Sequence, residues 1–367
     1  MKRLVMVGLG PVHLYALYAF SRQRVASAQV VWIAPSDKAI IPGQEAACVA
    51  GDQALAAATL DLQPVWRAAD VTPLHVSVTA LNLQQRRLAL SDGQELSYDA
   101  LSLDLASVID RDQIAGARHL GLFTQPPEFF LDMVERLIEL AQARDLNVVL
   151  VGEGAAAFEV SLALGARLRR TGSGASRLVW VTGGAPPLEG FSEVLRQRAL
   201  ELLKKQGVTV LQAACTAVER EYVTLDNGAR VACDAPVLAL PPKLPRWLTD
   251  SGLAMDEWGQ VDGLPTLQSR SHPNLFASRV GAGLSAVGST DTPQLACQAG
   301  AALAENLRRF IGSGQLLPWT PGPQKWGALS CPGHRALMSV GHRVLDGRWA
   351  GWWQQRVRRE SVRALAL

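Results

Sequence analysis

Two copies of one pattern in a single chain predict an α/β fold of two Rossmann-like dinucleotide-binding domains. The pattern is a short apolar strand that runs into a glycine-bearing turn and then into a helix. It occurs at Leu4-Val-Met-Val-Gly8-Leu-Gly10-Pro-Val-His13 and again at Val148-Val-Leu-Val-Gly152-Glu-Gly154-Ala-Ala-Ala157. A strand that turns into a helix in this way sets backbone N–H groups beneath a dinucleotide pyrophosphate. The two first glycines are 144 residues apart, room for a whole domain, and each copy is followed by a β-rich stretch that reads as a meander insertion.

Residues 2–34 read as β-α-β, with strands at Leu4–Val7 and Val30–Ile33 around a helix at 12–24. The third position of the turn is His13 where the motif has glycine, and the second strand ends on Ala34 where an acidic residue would hold a ribose. Residues 74–106 alternate as strands, with Asp92-Gly93 as the turn between two of them. Pro126 opens a helix that places Phe129, Phe130, Met133, Leu137, Ile138 and Leu140 on its apolar positions and ends near Arg144.

The plan then repeats. After the strand 148–151, Gly152-x-Gly154-x-x-Ala157 matches the dinucleotide fingerprint with alanine in its third place, which the motif allows. A helix runs to about Arg170, and Leu178–Val181 is the next strand, ending in Thr182-Gly-Gly without an acid. A helix at 194–206, a strand at Val208–Leu211 and a meander around Asp226-Asn-Gly complete the unit. Residues 241–315 return to the first unit through a strand at Asn274–Ala277 and a small-residue helix at 292–310. Domains are therefore expected at 1–120 with 241–330, and at 121–240, followed by a tail at 331–367. Its end, 345–367, carries Trp349, Trp352 and Trp353 among five arginines and reads as a basic helix. Either it lies on a membrane surface, or its tryptophans pack on the core or on a second copy in a homodimer.

Composition narrows the function classes. The 367 residues are 48% hydrophobic and 19% charged, which supplies packed cores and argues against bulk disorder. A net charge of +3 is too small to point to nucleic acid. None of the five cysteines forms C-x-x-C, and the lone C-x-x-H of Cys331 and His334 lacks the second pair that zinc needs. No apolar run approaches the roughly 18 residues of a spanning helix, and no secretory leader is evident, so a cytoplasmic protein is expected, at most on the inner membrane face.

The order of these pieces resembles the two-dinucleotide-binding-domain flavoproteins. Within them it is most similar to type II NADH dehydrogenases and to the FAD-dependent oxidoreductases associated with selenide, water dikinase. Ile41-Pro42-Gly43 through Gly51, Tyr98-Asp99-Ala-Leu-Ser-Leu-Asp104, Ser271-His-Pro-Asn-Leu-Phe-Ala277 and Gln294-Leu-Ala-Cys-Gln298 carry the resemblance, and His13 fits the histidine-bearing first turn of the subgroup. It covers about residues 3–315 and implies the FAD/NAD(P)-binding fold. FAD is expected at Gly8, Gly10, His13, Asp104 and Arg279, and NADH or NADPH at Gly152, Gly154 and Ala157. Glu159 is expected to reach toward the nicotinamide. Gln294 and Gln298, one helical turn apart, are expected beside the flavin and a quinone or other small acceptor. Ala106, Pro241, Arg279 and Val280 depart from the family's flavin-contacting pattern, where Val280 replaces an acid that accepts a ribityl hydroxyl. These departures set an alternative beside the enzyme: a non-catalytic relative that has lost ordinary FAD binding and acts as a regulatory partner.

Overall fold

A computed structural model describes residues 1–34, 36–105, 109–171, 174–241, 243–257, 259–278, 293–321, 326–340 and 343–366. Two five-stranded parallel sheets form its centre. In chain order, the elements that build the first are β1 (Lys2–Val7), α1 (Pro11–Arg22), β2 (Ala28–Ile33), β3 (Val71–Leu74) and β4 (Ala100–Leu103). The second begins with β5 (Leu122–Phe123) and continues through β6 (Asn147–Gly152), α2 (Gly154–Arg169), β7 (Arg177–Val181), β8 (Val208–Leu211) and β9 (Ala235–Ala239). The chain then closes the first sheet with β10 (Leu275–Ala277) and lays α3 (Pro293–Ile311) against α1.

The first sheet has the order β10-β4-β1-β2-β3 and the second β5-β9-β6-β7-β8. The glycine-bearing strand is central in both, flanked by the same two neighbours: Val7 pairs with Ile33 and Leu103, Val151 with Val181 and Leu238. Strands covered on both faces by helices and meanders need apolar side chains at every position. Leu4, Val5, Met6, Val148, Val149 and Leu150 accordingly have no exposed surface. The sheets differ at one edge. In the first the outer strand comes from late in the chain, and in the second from just before the unit begins. Each unit also carries a three-stranded antiparallel meander, Val78–Ser97 and Cys215–Ala232.

Two expectations change. Phe129 and Leu140, assigned to the apolar positions of the 126–144 helix, are exposed, and the buried face is Phe130, Leu131, Val134, Leu137, Ile138 and Ala141. The C-terminal segment is more than a helix. A meander of β11 (Trp326–Cys331), β12 (Arg335–Val340) and β13 (Arg343–Gly347) begins ahead of the expected tail boundary and leads into α4 (Arg348–Ala364). This meander packs on α2, while α4 lies across β12 and the side of α3.

Candidate nucleotide turns

The second turn is built by close approach. A Cβ on Gly152, at φ +155°, would stand 2.2 Å from the Ala239 carbonyl oxygen, so β9 can run beside the turn only because the residue is glycine. The indole N–H of Trp180, from β7, donates to the Gly152 carbonyl at 2.7 Å and fixes the end of β6. Glu153 then enters α2 in extended backbone and its side chain makes no capping bond. Gly154 sits at φ +75°, and among the described residues nothing lies within 4 Å of where its Cβ would be. Ala157 is buried, which lets α2 lie close on its sheet. A sixteen-residue helix starting on uncapped N–H groups beside open space is an anion cradle. Past β7, the Thr182 hydroxyl donates to the Ala185 carbonyl at 2.7 Å and closes its own loop.

The first turn has the same backbone and different neighbours. A Cβ on Gly8, at φ +91°, would stand 2.1 Å from the Asp104 carbonyl oxygen, and the indole N–H of Trp32 donates to the Gly8 carbonyl at 3.0 Å. His13 occupies the place that Ala157 has in the other unit and is completely buried. Its Nδ1–H donates to the Gly8 carbonyl at 2.9 Å, because a carbonyl can only accept, and its Nε2 accepts from the Ser102 hydroxyl at 2.8 Å. Burial holds the imidazole below its ordinary pKa, against the opposing pull of Asp104 and the Gly8 carbonyl, so the ring is neutral. Trp32 packs edge-on against it at 5.3 Å.

Asp104 is the chief difference. Only 1% exposed, it places Oδ2 2.8 Å from the His13 backbone N–H, and its Oδ1 accepts from the Ser278 hydroxyl at 2.8 Å. A Cβ on Gly10 would meet its carboxylate at 2.2 Å. Pro11, the first residue of α1, has no N–H to offer. The space at the start of α1 is thus taken by the chain's own carboxylate, and in this arrangement it does not fit a flavin pyrophosphate. At the ribose end, the carboxylate nearest Ala34 in sequence is Asp37, already bonded by Trp66 at 3.1 Å and paired with His75 at 3.2 Å. Ala106, Arg279 and Val280 lie outside the described residues, and Pro241 is exposed just beyond β9.

Glu159 lies two residues beyond Ala157 on α2. It accepts the Ser330 backbone N–H from β11 and so lies under the C-terminal meander. Arg358 of α4 reaches the same junction, donating to the Gly43 carbonyl at 2.9 Å and the Ser330 hydroxyl at 3.2 Å. Burial raises the Glu159 carboxyl and pushes that of Glu45 up to about 7, with Arg358 opposing both. The start of α3 meets this junction through Pro293, whose Cγ would be 2.8 Å from a Cβ on Gly43. Gln294 is partly buried and its Nε2 has no partner among the described residues, whereas Gln298 is exposed. The two amides share a helix face without converging on one group.

The structure therefore gathers Gly8, Gly10, His13 and Asp104 at one turn and Gly152, Gly154 and Ala157 at the other, with Glu159 further along α2 against Ser330. It adds Trp32 and Trp180, Ser102, Ser278, Glu45 and Arg358, which were not singled out from the sequence. The tryptophans were detectable: aligning the two copies puts them in register, Trp32 opposite Met6 and Trp180 opposite Leu150. Ser278 stands 174 residues from Asp104 and gave no such signal.

No family model matches the chain. It is 26% identical to an NADH dehydrogenase-like protein of Mycobacterium tuberculosis over 76% of this chain and 72% of that one. It is 25% identical to a demethylphylloquinone reductase of Synechocystis over 56% of this chain, a match that spans about half (52%) of that relative's length. Among solved structures, NDH2 of Plasmodium falciparum in complex with NADH superposes with a TM-score of 0.78 at 12% identity, covering 99% of this chain and 96% of that one. The sulfide:quinone oxidoreductase of Aquifex aeolicus superposes with a TM-score of 0.76 at 15% identity, covering 100% and 91%. These likenesses bear out the two-domain FAD/NAD(P)-binding fold.

Proposed function

We propose that this chain, a relative of the NADH dehydrogenase-like pyridine nucleotide oxidoreductases, is itself an NAD(P)H-dependent oxidoreductase. NADH or NADPH is held at the Gly152–Gly154 turn, and FAD is the redox group of the first domain, where its pyrophosphate needs the Asp104 carboxylate to move from the start of α1. The open cradle at Gly154 carries this reading. It joins helix N–H groups without a side-chain cap, space at a glycine that no described residue fills, and a Trp180-clamped strand end. Those groups bind and orient the nucleotide phosphates, which is the protein's share of such chemistry; the redox chemistry is the cofactor's. No acid stands at the end of β7, in Thr182-Gly-Gly184, so the choice between the two nucleotides falls to other groups around this loop.

A quinone or other small electron acceptor is the second substrate, in keeping with the quinone-reducing names among the relatives and neighbours. Gln294, whose buried Nε2 has no partner among the described residues, and Gln298 at the start of α3 are the candidate contacts. No helix among the described residues is long and apolar enough to cross a membrane. A membrane-dissolved acceptor is reached instead through α4, which exposes Trp349, Trp352 and Trp353 beside Arg356. The second reading, a non-catalytic relative, is favoured by one observation, the Asp104 carboxylate at the start of α1.

Titration of the purified protein with NADH and with NADPH, followed by anaerobic addition of NADH to its flavin-loaded form, tests the proposal. Saturable binding of one nucleotide and bleaching of the flavin absorbance are expected. Failure of both nucleotides to bind would sink it. Nucleotide binding without bleaching would move the chain to the non-catalytic reading.

A further inference from the structure

A glycine turn holds a dinucleotide because its helix N–H groups are uncommitted and because nothing but the ligand comes close to the second glycine. At the first turn both conditions are met by an occupant that is part of the chain. The His13 N–H is bonded to Asp104 Oδ2, Pro11 supplies no N–H, and the face of Gly10 lies against the same carboxylate. Asp104 is held there from a second side by Ser278, just past β10. Burial on this scale is not that of a surface helix cap, whose carboxylate stays in water.

We propose that Asp104 sets the ligand affinity of the first unit, its carboxylate standing where a ligand phosphate would stand, so that a dinucleotide enters only when Asp104 leaves the start of α1. This rests on reading the first domain as the flavin domain. It follows that the carboxylate opposes FAD through both its volume and its negative charge, which two substitutions separate: D104A removes both, and D104N keeps the volume and removes the charge.

FAD binding by fluorescence quenching, measured on the full chain and on the D104A and D104N forms, tests this. D104A is expected to bind FAD at least tenfold more tightly than the unsubstituted chain, with D104N between them. NADH affinity at the second turn should be unchanged in all three, which certifies that the variants are folded; if D104A does not fold, D104N against the unsubstituted chain decides. FAD affinity equal or weaker in the variants overturns the proposal, as does a complete lack of FAD uptake by every form. If the unsubstituted chain holds FAD, is bleached by NADH and gains nothing from D104A, the oxidoreductase reading stands and this inference falls. If D104A gains FAD that NADH cannot reduce, the inference stands and the oxidoreductase reading falls.

Discussion

The turns at Gly8 and Gly152 share a backbone and differ in the side chains beside it. In each, the first glycine lies against a carbonyl of the adjacent strand, and an indole N–H from the next strand clamps its own carbonyl. Three positions then diverge. His13 stands where the second unit has Ala157, Ser102 where it has Val237, and Asp104 where it has Ala239. The first unit thus fills the space under its helix with a hydrogen-bonded polar group, and the second leaves that space apolar below and open above. Strand register and glycine sterics fix the turn, whereas ligand capacity is set by a few side chains delivered from β4, β9 and β10. A dinucleotide fold can therefore persist while one of its two cradles is closed.

Transplanting the difference is the strongest way to break the comparison. A239D puts a carboxylate at the second turn in the position Asp104 has in the first. NADH affinity should fall at least about tenfold, about 1.4 kcal/mol, by fluorescence titration. Unchanged affinity would mean that a carboxylate in this register does not close a turn.

A double-mutant cycle sharpens the same point from the stability side. Gly10 has φ −68°, which any residue adopts, so a methyl group there is opposed only by what it touches. G10A should cost about 1–3 kcal/mol in the unsubstituted chain and little in the D104A background, a coupling read from chemical denaturation. Equal costs in both backgrounds would show that the carboxylate is not what crowds Gly10.

The smallest effect separates the two indole clamps. W180F removes the side-chain bond to the Gly152 carbonyl, while W32F leaves the Gly8 carbonyl with the His13 ring. Both cost packing, and W180F should cost about 1 kcal/mol more, the price of one buried unpartnered carbonyl. Equal losses on denaturant unfolding would erase this asymmetry.

Much of the fold was legible because its signals are local. Four consecutive apolar residues before a glycine identify β1 and β6 without reference to any partner. Asp92-Gly93 and Asp226-Asn-Gly mark hairpins whose geometry depends on two or three residues. The β11–β13 meander was only faintly legible: Pro332-Gly333 marks its first turn, but Trp326-Gly-Ala-Leu-Ser-Cys331 lacks clean alternation, and its pairing with β12 and packing on α2 make it a strand. The site was legible in the same proportion. Gly8, Gly10, Gly152 and Gly154 declare themselves, but the orientation of Glu159 depends on Ser330, 171 residues away.

The sequence by itself determined that there are two glycine turns, that each ends a buried strand and opens a helix, and that the second is the closer match to a dinucleotide fingerprint. Those properties follow from backbone sterics and apolar periodicity, which act over a few residues. Only the tertiary structure decided which turn is open. That outcome depends on Asp104 reaching the start of α1 and on Ser278 holding it there. A hydrogen bond between groups 174 residues apart leaves no trace in local spacing, because the fold, rather than the intervening chain, brings them to 2.8 Å.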